Sequence, residues 1–119
     1  MTAPYRVVLS EKTTSLLRSL TSKTGLSANI LSRFAMLLSF EDLAEPAEVQ
    51  GKAGLTINRA TLFGELEPFL MSAFALRCKK SGSSEHAQDL CSHIARGVSF
   101  LNVRVQSMTD LIGVVHDLS

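Results

Sequence analysis

The feature that most constrains the fold is a long apolar stripe in the C-terminal third of the chain. Apolar residues recur there at intervals of three and four, at Ala87, Leu90, Cys91, Ile94, Val98, Leu101 and Val105. This spacing is typical of an amphipathic α-helix, and such a face has to be buried against other elements. The stripe therefore predicts a long helix, and Ser84 is a candidate for its N-cap.

A second predicted helix, from Ala28 to about Ser39, is apolar over more than half of its surface and should be central. Its apolar residues are Ile30, Leu31, Phe34, Ala35, Leu37 and Leu38. A more polar helix is predicted before it, from Glu11 to Thr24, with Ser10 as its N-cap. Gly25 and Ser27 between the two helices are typical of a left-handed helix end followed by a new N-cap.

The rest of the chain carries weaker signals. The opening "YRVVLS" predicts a short strand or an extended arm. Residues 41–56 lose all periodicity and are predicted to form a surface loop. A helix is predicted from about Arg59 to Lys80, kinked or broken at Pro68, which lacks an amide hydrogen. A loop at residues 81–84 precedes the long helix, and a short helix from Thr109 to about Asp117 is expected to end the chain.

Length and composition set the class of protein. A chain of 119 residues fits one domain, 1–119. Its 45% hydrophobic content and lack of Trp favour an aliphatic helical core. We predict a mainly α fold, a compact single-domain helical bundle of four to five helices with a short N-terminal strand or extended arm. The sequence shows no secretion signal and no membrane-spanning run, so we expect a cytoplasmic protein.

The cysteines and histidines give little support for catalysis. Cys91 lies on the apolar stripe and is expected in the core, whereas Cys78 precedes Lys79 and Lys80, which can lower a thiol pKa. The favoured explanation of the two lysines is a helix end that is cationic without any catalytic purpose. Sulfur transfer at Cys78 is the less favoured hypothesis. His86 and His93 lie two turns apart, about 10 Å, which is too far for one metal ion. We expect no catalytic residue, no metal site and no cofactor.

One side of the long predicted helix carries an unusual glycine. Helical geometry places His93, Gly97, Phe100 and Arg104 beside one another, next to the apolar face. Gly97 costs about 1 kcal/mol relative to Ala in a helix interior, a cost that is tolerated where another backbone comes close. Packing inside the chain and contact with a second subunit explain it equally well at this stage.

The charges are nearly balanced, with a formal net charge of +1. Several cations nevertheless fall at predicted helix ends or in loops, namely Arg6, Lys12, Arg18, Lys23, Lys52, Lys79 and Lys80. Such cations can contact DNA phosphates without reading bases, although a solvated surface is the simpler explanation.

Three segments resemble, in order and spacing, the DNA sulfur-modification family DndE. The first block contains Thr24, Gly25, Leu26, Asn29, Leu31 and Arg33. The second contains Asn58, Arg59, Thr61, Leu62, Gly64 and Glu65. The third contains His93, Arg96 and Gly97. With the opening "RVVLSEKTTSLLRSL", the resemblance extends over nearly the whole chain.

The resemblance implies a role in DNA phosphorothioation, in which sulfur replaces a non-bridging phosphate oxygen. It implies a small, helical, non-catalytic component that binds double-stranded DNA through the backbone, forms a homotetramer and works with other phosphorothioation subunits. The expected DNA contacts are Lys12, Arg18, Lys23, Arg33, Lys79 and Lys80, and the expected oligomer contacts are Gly25, Asn29, Gly97 and Phe100.

The competing hypothesis is a ribbon–helix–helix transcription regulator, in which a strand followed by two helices reads the major groove. Such a strand would project Arg6, Val8 and Ser10 from one face. That set is poorly suited to hydrogen bonds with base edges.

Overall fold

The computed structural model describes residues 6–42, 44–77, 83–106 and 108–117. Its elements are, in chain order, β1 (Arg6–Ser10), α1 (Glu11–Thr24), α2 (Ala28–Glu41), β2 (Ala53–Asn58), α3 (Arg59–Phe63), α4 (Glu67–Arg77), α5 (Ser83–Arg104) and α6 (Met108–Asp117). A 3₁₀ turn over Gly64–Leu66 joins α3 to α4. The predicted mainly α class is confirmed, and a two-stranded antiparallel sheet accompanies the helices.

The helix ends that the sequence predicted around α1 and α2 are confirmed. The Ser10 hydroxyl accepts a hydrogen bond from the Thr13 amide at 3.1 Å. Gly25 adopts a left-handed φ of 78° directly after α1, a conformation that favours glycine. The Ser27 hydroxyl accepts from the Ile30 amide at 3.3 Å and starts α2. Local sequence therefore determines this corner.

The predicted loop over residues 41–56 is wrong in its last part, because β2 begins at Ala53. β2 pairs antiparallel with β1, with Val7 opposite Ile57 and Val8 opposite Thr56. The Leu55 amide also donates to the Thr14 hydroxyl at 2.9 Å, which ties β2 to α1. A partner far away in the sequence thus makes this segment a strand.

The helix predicted from Arg59 to Lys80 is broken, as expected, but the break precedes Pro68. It lies at Gly64, whose φ is 56°. Pro68 is the second residue of α4, where the missing amide hydrogen has no intrahelical acceptor to lose. Residues 78–80 lie outside the described residues, as do 81 and 82 of the predicted loop, and α5 already begins at Ser83.

The core centres on the packing of α5 against α2. The buried apolar residues of α5 are Leu90, Ile94, Val98 and Leu101, and Val105 directly after the helix is also buried. At Gly97 the two backbones touch, since a Cβ on this residue would overlap the main chain of Ala35. The close approach predicted for Gly97 is therefore present, and its partner is another helix of the same chain.

Gly97→Ala is expected to destabilise the protein by about 2–3 kcal/mol, because α2 and α5 have to separate to make room for the methyl group. The matched control is Gly113→Ala in α6, where a Cβ would meet nothing within 4 Å. That control should stabilise by up to about 1 kcal/mol through helix propensity. Urea unfolding of both variants measures the difference, and equal free energies of unfolding would contradict the close approach of the two backbones.

Candidate nucleic-acid interface

The third resemblance block fastens α5 to the end of α2. Arg96 donates from Nε to the Ser39 hydroxyl at 2.8 Å and from Nη2 to the Ser39 carbonyl at 2.7 Å. Its Nη1 donates to the Ala44 carbonyl at 2.7 Å and lies 3.5 Å from the Asp42 carboxylate. Arg96 thus satisfies carbonyl groups at and beyond the C-terminus of α2, which need an external donor.

His93 also contacts the C-terminal end of α2. Its Nδ1 lies 2.7 Å from the Ser39 hydroxyl oxygen, and the side chain is 3% exposed. The ring stands edge-on to Phe40 and Phe74, at centroid distances of 4.8 and 6.2 Å. The Ser39 hydroxyl accepts from Arg96 Nε, and the tautomer of the His93 ring determines whether Ser39 or Nδ1 donates in the hydrogen bond between them. His93 is therefore a satisfied core histidine.

Arg33, an expected DNA contact, has a role inside the chain. Its Nε donates to the Leu62 carbonyl at 2.5 Å and its Nη2 to the Thr61 carbonyl at 3.2 Å. A Cβ at Gly64 would lie 2.9 Å from Arg33 Nη2. The guanidinium thus caps the last turn of α3, and this contact joins the first resemblance block to the second. It accounts for Arg33 without DNA.

The expected DNA contacts on α1 lie on the surface. Lys12 and Arg18 are exposed, and Lys23 is half-buried. None of the three forms a hydrogen bond or an ion pair with the described part of the chain. Lys12 and Lys23 are eleven residues apart, close to three helical turns, so they lie on one side of α1 about 16 Å apart. Lys79 and Lys80 lie outside the described residues.

Two further cations join this surface through the paired strands. Arg6 and Lys52 line a groove of about 300 Å³ between β1 and residues 49–53. A second groove, of about 410 Å³, holds Lys12 and shares Ser10 and Gln50 with the first. The Glu11 amide donates to the Lys52 carbonyl at 2.8 Å, which fixes the loop beside α1. The sequence named Arg6 and Lys52 only among the cations that can contact phosphates, because their place beside Lys12 depends on the pairing of β2.

Acidic residues lie in or beside this surface as well. Glu11 opens α1, and Glu48 lines the groove that contains Lys12. The basic surface is therefore interrupted, in agreement with the small net charge of the chain.

Cys91 lies in the smaller groove and is half-buried. Its thiol donates to the Val8 carbonyl at 3.0 Å. Burial raises the pKa of the Cys91 thiol, and the backbone hydrogen bond of Ser10 lowers it by less. A protonated thiol is a poor nucleophile. Cys78, the candidate for sulfur transfer, lies outside the described residues.

The expected oligomer contacts occupy three different places. Gly25 is exposed at the end of α1, and Asn29 is half-buried in the first turn of α2. Phe100 is 39% exposed, and the Arg104 guanidinium carbon lies 4.5 Å above its ring centroid. Gly97 is buried against Ala35, so the structure gives it the packing role rather than a surface position. The packing of α2 on α5 thus accounts for this glycine without a second subunit.

Among the described residues, no group of three His, Cys, Asp or Glu side chains is placed to hold a metal ion. No helix in the described ranges is long and apolar enough to cross a membrane.

Residues 6–109 match the model of the family described as "DNA sulphur modification protein DndE". The chain belongs to the DndE family. A comparison with curated proteins found no match. The fold is similar to the crystal structure of DndE from Escherichia coli B7A, involved in DNA phosphorothioation modification, with a TM-score of 0.73 at 22% identity over 85% of this chain and 99% of that one.

A second DndE crystal structure, of a G21/24K mutant involved in DNA phosphorothioation, has a TM-score of 0.70 at 20% identity, again over 85% of this chain and 99% of the other. The DndE family takes part in DNA phosphorothioation as an accessory component. In this DndE-family chain, Arg33, His93, Arg96 and Gly97 from the resemblance blocks serve as joints between helices. The side chains of the exposed cations of α1 and of the grooves take no part in these contacts.

Arg33→Lys tests the observed capping role of Arg33 separately from the DNA contact expected from the sequence. Lysine keeps the charge but lacks the planar fork that reaches two carbonyl groups, so we expect a decrease of about 1–2 kcal/mol in stability. DNA affinity of the folded protein should stay unchanged. Urea unfolding and a DNA titration below the unfolding transition measure both quantities. Unchanged stability would contradict the capping role.

Alkylation of the Cys91 thiol should require a higher pH in the folded protein than in the unfolded chain. In a Cys78→Ser variant, alkylation of the folded protein is expected to begin at higher pH than alkylation of the urea-unfolded chain, because burial keeps the thiol protonated. The folded state then holds this proton longer than the unfolded state, so the contribution of Cys91 to stability falls as pH rises above the unfolded thiol pKa. Coinciding alkylation profiles would contradict the environment described for Cys91.

Proposed function

We propose that this protein is a non-catalytic, homo-oligomeric DNA-binding subunit of a DNA phosphorothioation complex, and that it contacts the DNA backbone without reading sequence. The observation that carries the proposal is the set of cations on α1 that the described structure leaves without partners, Lys12, Arg18 and Lys23. Family membership supplies the reaction in which such contacts would be useful.

The arrangement of the cations favours phosphates over bases. Lys12 and Lys23 lie about 16 Å apart on one side of α1, a span of about five base-pair steps of B-DNA. Arg6 and Lys52 extend the basic surface beyond the start of α1. Lysines on a convex helix surface suit contacts with several successive phosphates, which position a protein without reading sequence.

Oligomerisation is part of the proposal because a single chain is a weak electrostatic binder. The formal net charge is only +1, and Glu11 and Glu48 interrupt the basic surface. Non-specific affinity rises with the number of phosphates neutralised. An assembly that places α1 from several copies on one duplex multiplies those contacts while each chain stays nearly neutral.

The ribbon–helix–helix hypothesis is not favoured by the observed strand. β1 pairs with β2 of its own chain rather than with a strand of a second copy. Ser10, expected to project beside Arg6 and Val8, is 8% exposed and caps α1 instead. A base-reading ribbon would need both strands free to enter the major groove.

A fluorescence-anisotropy titration of unrelated duplexes across a salt series tests the proposal. Comparable affinities with a steep salt dependence are expected for a backbone binder. Strong preference for one palindromic duplex would instead favour the transcription regulator. No binding even at low salt would overturn the DNA-binding role.

Lys12→Ala combined with Lys23→Ala should weaken binding to all duplexes alike and lower the salt slope by about two, because each lysine neutralises one phosphate. The matched control is Arg104→Ala, which removes an exposed cation at the end of α5 that stacks on Phe100. The control should leave the slope unchanged. Equal effects of the double variant and the control would show that α1 is not the surface that meets DNA.

A further inference from the structure

The segment that carries Lys52 is attached to the start of α1 by two hydrogen bonds. The Lys52 carbonyl accepts from the Glu11 amide at 2.8 Å. Three residues further on, the Leu55 amide donates to the Thr14 hydroxyl at 2.9 Å. Residues 52–55 are therefore held at both ends by the first turn of α1.

An irregularity in the sheet makes the Leu55 amide available to α1. The register of the two strands shifts between Val8 and Ser10, where β2 has one residue more than β1. The extra length lies at Gly54 and Leu55. A bulge of this kind interrupts the ladder of hydrogen bonds and changes the direction of the strand. The Leu55 amide accordingly donates to a side chain of α1.

The Thr14 hydroxyl is well placed to hold this amide. It donates to the Ser10 carbonyl at 2.8 Å, and the side chain is 4% exposed. Because the hydroxyl hydrogen is used in that bond, a lone pair is left to accept from Leu55. A partly buried amide that loses its acceptor is destabilised. A residue without a hydroxyl at position 14 would therefore loosen residues 52–55.

Gly54 allows the strand to come close to α1. A Cβ on Gly54 would overlap the Thr14 hydroxyl and would lie 2.9 Å from the Ser10 carbonyl oxygen. The carbonyl belongs to the main chain and has little freedom to move away. Any side chain at position 54 would therefore push β2 away from α1, even where the Thr14 hydroxyl is intact.

This attachment places Lys52 beside Lys12. The main chain of Lys52 is bonded to Glu11, the residue that directly precedes Lys12 in α1. The Lys52 side chain is exposed and has no hydrogen-bond or ion-pair partner in the part of the chain that the structure describes. Under the proposed function, it is free to contact a phosphate next to the one that meets Lys12.

We propose that Thr14 is a positioning residue for DNA binding, because its hydroxyl, together with the missing side chain of Gly54, holds Lys52 against a DNA phosphate. This inference rests on the DNA-binding part of the proposed function. The Thr14 side chain is buried and neutral, so its effect on DNA affinity is carried by Lys52.

A double-mutant cycle in DNA titrations across a salt series tests the link between the two residues. Lys52→Ala should lower the salt slope by about one and the affinity about fivefold at about 0.1 M salt, because one phosphate contact is lost. Thr14→Val should reproduce most of this loss. In the Lys52→Ala background, Thr14→Val should cost less than about a further twofold, because the lysine that it displaces is already absent.

Two further variants separate positioning from stability. Thr14→Ser keeps the hydroxyl and should restore the wild-type salt slope. Gly54→Ala keeps Thr14 but displaces the strand, so it should lower the slope as Thr14→Val does. It also tests the inference where Thr14→Val does not fold. Circular dichroism sets a titration temperature below the unfolding transition of every variant.

The matched control is Thr24→Val, at the other end of α1. The Thr24 hydroxyl likewise donates to a carbonyl of the preceding turn, that of Leu20 at 2.8 Å, and accepts from the Leu26 amide at 3.2 Å. This substitution removes an equivalent pair of hydrogen bonds far from Lys52. Its effect on DNA affinity should be the same with and without Lys52.

The results distinguish this inference from the proposed function. Equal losses from Thr14→Val with and without Lys52, or an unchanged salt slope in both Thr14→Val and Gly54→Ala, would overturn the inference. A slope that is unchanged by Lys52→Ala but lowered by Lys12→Ala with Lys23→Ala would overturn the inference alone. A wild-type protein that binds no DNA at low salt would overturn the inference together with the DNA-binding part of the proposed function.

Discussion

The contact between the backbones of Gly97 and Ala35 sets the geometry on which the rest of the structure depends. With no side chain between them, α2 and α5 approach closely enough for Arg96 to reach the end of α2. His93 meets Ser39 one turn further along the same helix pair. A wider separation would remove Ser39 from both partners at once, and would leave buried polar groups unsatisfied. Gly97, Arg96 and His93 therefore hold α5 against α2 together.

The residues by which this chain resembles its family are largely occupied inside the fold. Thr24 and Gly25 form the corner between α1 and α2, and Arg33 caps α3. Arg96 fixes the end of α2. These motif residues therefore identify the fold. The exposed cations of α1 and of the grooves take no part in the contacts that the motif residues make. Family resemblance and the location of a binding surface are thus two separate questions in this protein.

Much of the fold could be predicted because its signals are local. The N-caps Ser10 and Ser27 and the left-handed Gly25 each depend on a few neighbouring residues, and the stripe of α5 depends only on helical period. β2 could not be predicted, since "AGLTIN" becomes a strand through pairing with β1 some fifty residues earlier. The role of Arg33 was equally hidden, because its partner Leu62 is brought to it by tertiary packing. For Gly97 the sequence predicted a close backbone approach, but not that Ala35 of the same chain makes it. Ser32, buried without a hydrogen-bond partner among the described residues, is a polar residue that no periodicity explains.

Under the proposed function, a nearly neutral chain binds DNA as one subunit of an assembly. α1 packs on α5, α2 and the strands, whereas α4 contacts α2 and the α3 segment. A second copy that docks away from α1 would leave the cations of that helix open to DNA. In the proposed assembly each added copy brings a further α1, so the number of phosphate contacts rises without any change in the charge of one chain. Because affinity depends on the number of counterions released, the proposed function predicts that assembly rather than net charge governs the affinity for DNA.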